Sequence, residues 1–223
     1  MSYHWFLTDR QKQRKQKYRC GLGYLVPYDG YLVTAPSTSP ENTFTASDHS
    51  VHSVTFGSTM DCSILKELFG NYLKACEILD ITDLMNEVKA ALKKLPPFKI
   101  GKEGQLQEWY LDYPEVDVHH RHVSQLYGLY PGNLIHREDE ELLVACRVAL
   151  DRRGDEGTGW CMAWKACLWS AAGPTRICSV HIRHFRSTGI SGLRLLSWKC
   201  WYSIRMTGSS FFRHFRRSGR MER

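Results

Sequence analysis

The chain has 223 residues, 43% of them apolar and 12% aromatic, with 30 Lys+Arg against 23 Asp+Glu for a net charge of +7. That apolar fraction excludes a wholly disordered polymer, and no uninterrupted run of about 18 apolar residues is present to span a bilayer as a helix. The charge is uneven: residues 1–20 carry six Lys/Arg and one acid, residues 171–223 carry eleven and one, and the stretch between is acidic. Three segments of different character follow, a basic N-terminal segment over 1–27, a central domain over 28–170 and an Arg-rich tail over 171–223 that is expected to be poorly ordered.

Near the start, Tyr3-His4-Trp5-Phe6-Leu7 is too short and too soon charged to serve as a signal peptide, so none is expected in this chain, and Gln11 to Arg19 reads as a solvated basic run. Pro27-Tyr28-Asp29-Gly30 is a turn signal, Tyr31-Leu32-Val33-Thr34 a short strand, and Ala35 to Asn42 a loop of Pro, Ser and Thr. A loop that polar has little reason to be buried unless it lines something. Ser58 or Thr59 can cap a helix along which Ile64, Leu65, Leu68, Phe69, Tyr72, Leu73, Cys76 and Leu79 repeat at helical spacing. Thr82 is expected to cap a second helix, with Leu84, Val88, Ala91, Leu92 and Leu95 on one stripe and Pro96-Pro97 ending it, which makes an antiparallel αα-hairpin.

Phe98 to Trp109 reads as a β-turn or short hairpin around Gly101 and Gly104. The His-rich stretch that follows to Gly132 is longer than most structureless loops, and Tyr110, Tyr113, Tyr127 and Tyr130 argue that it is ordered. A third helix runs from about Glu138 to Arg153, acids first and arginines last as the helix dipole favours, and Gly154 stops it. Thr158 can cap a fourth, with Trp160, Ala163, Trp164, Cys167 and Leu168 on one face, giving a second αα-hairpin. The fold class expected is mainly α, with long functional loops between hairpins and irregular basic ends. The eight cysteines contain no CxxC pair and read as free thiols.

Chemistry has several candidate seats. Glu41 follows Ser37-Thr38-Ser39-Pro40 on a rigid loop beside hydroxyls able to bond a polyol; burial would raise its pKa and let it donate a proton, while an N-cap or an exposed loop acid is the plainer reading. Glu108 beside Trp109 offers a second acid with an aromatic ring that stacks on a sugar or fills a core. Asp155 stands in a Gly-rich turn where a helix cap is equally at home. His119, His120, His122 and His136 with Asp117 lack the spacing of a zinc helix, so no metal and no cofactor are expected. No phosphate-binding Gly-rich loop follows a strand and no Gly-x-Ser-x-Gly elbow is present. Acids, histidines and aromatics on loops between helical hairpins fit carbohydrate chemistry. A binder of nucleic acid or another anionic polymer through the two basic ends is a different reading, and it lacks a recognition motif, so no nucleic-acid or membrane partner is expected.

Four ordered blocks carry a resemblance. Tyr31 to Asn42 (YLVTAPSTSPEN), Leu95-Pro96-Pro97 with Gly104-Gln105-Leu106-Gln107-Glu108-Trp109, His120 to Gly132 (HRHVSQLYGLYPG), and Arg153 to Trp160 (RGDEGTGW) resemble glycoside hydrolase family 95. The resemblance implies an α-L-fucosidase type of enzyme acting on fucosylated oligosaccharides or glycans, inverting the anomeric centre with water as nucleophile, on a six-hairpin α/α barrel of which this chain would be a part. It implies Glu41 as the general acid, Asp155 as the residue that polarises the base, and Arg121 and His122 as groups that hold sugar hydroxyls; Glu108, Trp109 and Trp160 are further candidates to bind the sugar. The family's base side, an asparagine pair upstream of the Ser-Pro-Glu-Asn block, has no counterpart here, because the first asparagine is Asn42; Gln125 also replaces a histidine usual in the third block. These departures, and the loss of the pattern beyond Trp169, lead to the expectation that the ends come from a frame or splice error or a decayed gene, leaving about half a barrel with little activity. A carbohydrate-binding remnant without turnover is the alternative.

Overall fold

The computed structural model describes residues 20–80 and 82–173; the basic run at 11–19 and the tail from residue 174 onward lie outside the described residues. The chain divides between Gly154 and Asp155 into two compact units.

The first unit opens with a hairpin, β1 (Leu25–Tyr28) against β2 (Tyr31–Thr34), in the register Leu25↔Thr34 to Tyr28↔Tyr31. Its two-residue connection, Asp29-Gly30, has φ of 51° and 79°. Positive φ at both central residues matches the right-handed twist of the flanking strands, which is why an Asp-Gly pair makes the turn. The turn signal is thus where the sequence places it, whereas β1 has no clear alternation to announce it.

Helix α1 (Thr59–Leu79) begins at Ser58, whose side chain accepts a bond from the backbone N–H of Asp61 at 3.2 Å. It ends at Asp80, in the left-handed conformation. Helix α2 (Met85–Lys94) departs from expectation at its start: Leu84, not Thr82, occupies the capping position, at φ 56° and without a side-chain bond. Leu84 and Met85 pack against the core, so apolar contact rather than a hydroxyl sets where α2 begins. Leu95 is extended, and Pro96-Pro97 follow it and prevent another helical turn. The two helices enclose Leu65, Phe69, Tyr72, Cys76, Val88, Ala91 and Leu95, with Leu25 and Leu32 of the hairpin packed against them. Burial pushes the Cys62 thiol up to about 11 and the Cys146 thiol up to about 12, so both are protonated packing groups. Cys20, Cys62, Cys76 and Cys146 are free thiols.

The remaining strands are two residues long: β3 (Ser37–Thr38) with β6 (Val54–Thr55), and β4 (Phe44–Thr45) with β5 (Val51–His52). The Gly101–Gln105 turn is closed by the bridge Ile100↔Leu106. The long stretch after Trp109 is ordered as the tyrosines imply. It contains a single 3₁₀ turn (Ser124–Gly128) that packs on α1, where the Tyr127 hydroxyl donates to Glu67 Oε2 at 2.8 Å. Helix α3 (Glu140–Arg153) closes the unit, stopped by Gly154 at φ 69°, a conformation that favours glycine.

In the second unit, helix α4 (Gly159–Ala171) has Thr158 at its capping position, as expected, but without a side-chain bond. Its buried residues are Cys161, Lys165, Leu168 and Trp169, so the expected tryptophan face is displaced. Trp160 is 59% exposed. A lysine in the buried stripe hides it from a reading by hydropathy, and the Lys165 ammonium is accommodated by donating to the Glu156 carbonyl at 3.1 Å. The described fold is mainly α, with small strands confined to loop junctions. Among the described residues no helix is long and apolar enough to cross a membrane.

Candidate active site

The loop that carries Glu41 is anchored from its first residues. Ser37 donates its hydroxyl to Asp61 Oδ2 at 2.6 Å and accepts from the Ser58 N–H at 2.9 Å, which ties β3 to the start of α1. Beyond this anchor Ser39 and Asn42 turn inward and are buried, and the Asn42 N–H donates to the Ser39 carbonyl at 2.9 Å, closing a tight turn. Glu41, between them, faces outward with its side chain 58% exposed. The polar loop is therefore buried on one side because it surrounds a charged group.

That group is Glu108, 4% exposed. Its Oε1 accepts from the Ser39 hydroxyl at 2.6 Å, and its Oε2 accepts from Asn42 Nδ2 at 3.1 Å and from Arg153 Nη2 at 2.5 Å. Burial pushes the Glu108 carboxyl up, while Arg153 and the two donors pull it back. Arg153, 1% exposed, also pairs through Nη1 with Glu115 Oε1 at 2.9 Å, and Arg152 Nη2 reaches the other oxygen of Glu115 at 3.4 Å. Glu115 is held there by backbone pairing with Phe44, and the flanking Val116 N–H donates to the Thr43 carbonyl at 3.1 Å. Two carboxylates thus face two guanidinium groups in a site where an unmatched charge would be costly.

The third component comes from the His-rich stretch. Arg121 pairs with Glu41 Oε2, and His122 Nε2 approaches the same oxygen at 3.9 Å. The His122 N–H donates to His120 Nδ1 at 3.1 Å, and the Ser124 hydroxyl donates to the Pro40 carbonyl at 2.6 Å, joining this stretch to the Glu41 loop. The His120 ring is held below its ordinary pKa, chiefly by burial and then by His122 and Arg153. Of the two readings of Glu41, the structure shows the plainer one, an exposed loop acid, at the rim of a buried polar platform. Its position comes from its neighbours, whose side chains are inside.

Of the residues singled out in the sequence, Glu41, Arg121 and His122 come together. Glu108 is buried, with both oxygens bonded to protein groups. Trp109 is 2% exposed and packs against Phe44, with ring centroids 5.2 Å apart, as a core residue. Asp155 and Trp160 are exposed in the second unit. Sequence reasoning missed Arg153 as a site residue, because a helix-terminal arginine is accounted for by the dipole alone; it missed Glu115, which has no motif, and Ser124.

Residues 16–197 match the model of the glycosyl hydrolase family 95 catalytic domain. The chain belongs to this family. Within it, the chain is similar to an alpha-L-fucosidase 2 of Arabidopsis thaliana, 49% identical over 145 residues, covering 64% of this chain and 17% of that protein. It is 35% identical over 152 residues to a probable alpha-fucosidase A of Aspergillus niger, covering 64% of this chain and 18% of the relative. A probable alpha-fucosidase A of Aspergillus oryzae is 30% identical over 187 residues, 76% of this chain and 25% of the relative. The chain thus spans a quarter or less of the length of these relatives.

Proposed function

We propose that this family 95 chain is the acid-bearing part of an α-L-fucosidase catalytic domain, an α/α barrel in the complete enzyme. Its substrate is a fucosylated oligosaccharide or glycan, hydrolysed with inversion. The observation that carries the reading is the convergence of Arg121 and His122 on one oxygen of Glu41, an exposed carboxyl on a loop whose flanking side chains are locked inside. Glu41 protonates the glycosidic oxygen as the bond to the fucosyl carbon breaks, and Arg121 and His122 bond sugar hydroxyls and orient the ring. Water attacks from the opposite face, and its proton is taken by a base about 6.5–9.5 Å from the acid, a separation that leaves room for the water. Asp155 is the candidate to polarise that base. The base has no counterpart of the family's asparagine pair among these residues, so the chain carries the acid side of the reaction and the sugar-holding groups beside it.

The test is release of free fucose from an α-1,2-fucosylated oligosaccharide, with Glu41→Gln at the same concentration. Fucose release reduced by about 10²–10⁴-fold in the variant supports the acid role; release equal in both proteins overturns it. If neither releases fucose, L-fucose binding followed by NMR decides between an incomplete enzyme that still holds the sugar and a chain with no sugar site. Binding lost in Arg121→Met identifies the first.

A further inference from the structure

We propose that Arg153 is a positioning residue that sets the Glu41 loop and the Arg121–His122 loop in one register. The inference rests on the reading of Glu41, Arg121 and His122 given above. Arg153 is the last residue of α3, where any cation would complement the helix dipole, yet it is buried and uses its fork in four directions. Nε donates to the His122 carbonyl at 3.0 Å, Nη1 to the Val118 carbonyl and Glu115 Oε1, both at 2.9 Å, and Nη2 to Glu108 Oε2 at 2.5 Å. Two of these bonds fix the backbone of the stretch that carries Arg121 and His122. The bond to Glu108 fixes the residues on either side of Glu41, because Glu108 in turn holds Ser39 and Asn42.

Charge balance alone does not call for this arrangement. Glu108 and Glu115 are matched in number by Arg152 and Arg153, and a lysine at 153 would preserve that balance. What a lysine cannot do is donate along four fixed directions from one planar group. The loops between 37 and 45 and between 110 and 124 contain little regular structure, so directed bonds have to offset the conformational freedom their backbones give up. Arg153 joins both sets, and α3 gives it a rigid base.

The test uses the full chain, with amide hydrogen exchange followed by NMR in wild type, Arg153→Lys and Glu108→Gln. Asn42, whose N–H donates to the Ser39 carbonyl, reports the Glu41 loop; His120, whose N–H donates to the Asp117 carbonyl, reports the other; Phe69 and Val88 report the helical hairpin. In Arg153→Lys, exchange is expected to rise about tenfold or more at Asn42 and His120 together, with Phe69 and Val88 unchanged. In Glu108→Gln it is expected to rise at Asn42 alone. Unchanged exchange at Asn42 in Arg153→Lys, or an equal rise at all four amides, overturns the proposal, the second outcome marking a residue of general stability only. If Arg153→Lys does not fold, Glu108→Gln decides, and an unchanged Asn42 there overturns it. L-Fucose binding by the wild-type chain is measured alongside. Binding without the exchange pattern defeats this inference alone, and the exchange pattern without binding defeats the reading of the site alone.

Discussion

The α1–α2 hairpin and the loop platform beside it reach burial by opposite means. The hairpin buries aliphatic and aromatic side chains repeating at helical spacing, its backbone bonds satisfied internally, and Phe69 and Val88 become inaccessible without any polar partner. The platform buries Ser39, Asn42, Glu108 and Arg153, and each of them requires a partner from a segment far away in sequence. Non-directional burial tolerates sliding, and directed bonds between charged groups do not. A loop held in the second way can present Glu41 to solvent at a defined place.

The comparison is broken most severely in the hairpin. Phe69→Ala should cost about 3–5 kcal/mol, read as a lowered midpoint in urea unfolding, because the cavity lies where both helices meet. Arg153→Met should cost about 3 kcal/mol by leaving Glu108 and Glu115 without their shared cation in a buried place. Its signature differs: Arg153→Met combined with Glu108→Leu should recover part of that loss in the same unfolding experiment, whereas no second polar change repairs Phe69→Ala. A smaller effect belongs to the junction of the two regions. Ser58→Ala removes the cap of α1 and should lower stability by about 1 kcal/mol in thermal unfolding.

The smallest effect sharpens the picture of the platform through pH. His120 sits among His122, Arg121, Arg153 and Asp117 with its pKa held below 6.5, burial being the largest cause. The unfolded chain takes up the proton first as pH falls, so stability declines once pH drops through about 6.5 and levels off below the folded value. Unfolding at about pH 7.5 and about pH 5.5 checks it: His120→Gln should show a shallower decline than wild type. A steeper decline in the variant would place the histidine in a favourable ion pair instead.

Both helices of the hairpin were legible because a 3.6-residue repeat encodes the buried face locally, and Ser58 lies where a cap is needed. The start of α2 was misread at Thr82, since the hydroxyl that could have capped it lost to the packing of Leu84 and Met85. In α4 the tryptophans marked the wrong face, because Lys165 interrupts the apolar pattern of the buried one. Glu41, Arg121 and His122, which the structure brings together, could be picked out from their motifs. Glu108 and Trp109 could be named but not assigned to the interior, which depends on what covers them.

By itself the sequence determined what local pattern and motif can encode: the helical hairpin, the Asp-Gly turn, membership in family 95, and the acid on the Ser-Pro-Glu-Asn loop. Only the tertiary structure decided that Glu41 is exposed while its neighbours are buried, and that Arg153 bonds groups drawn from residues 108 to 122. The physical reason is range. Periodicity and turn chemistry act between residues a few positions apart, whereas a buried ion pair exists only once the folded chain has brought both charges out of water together.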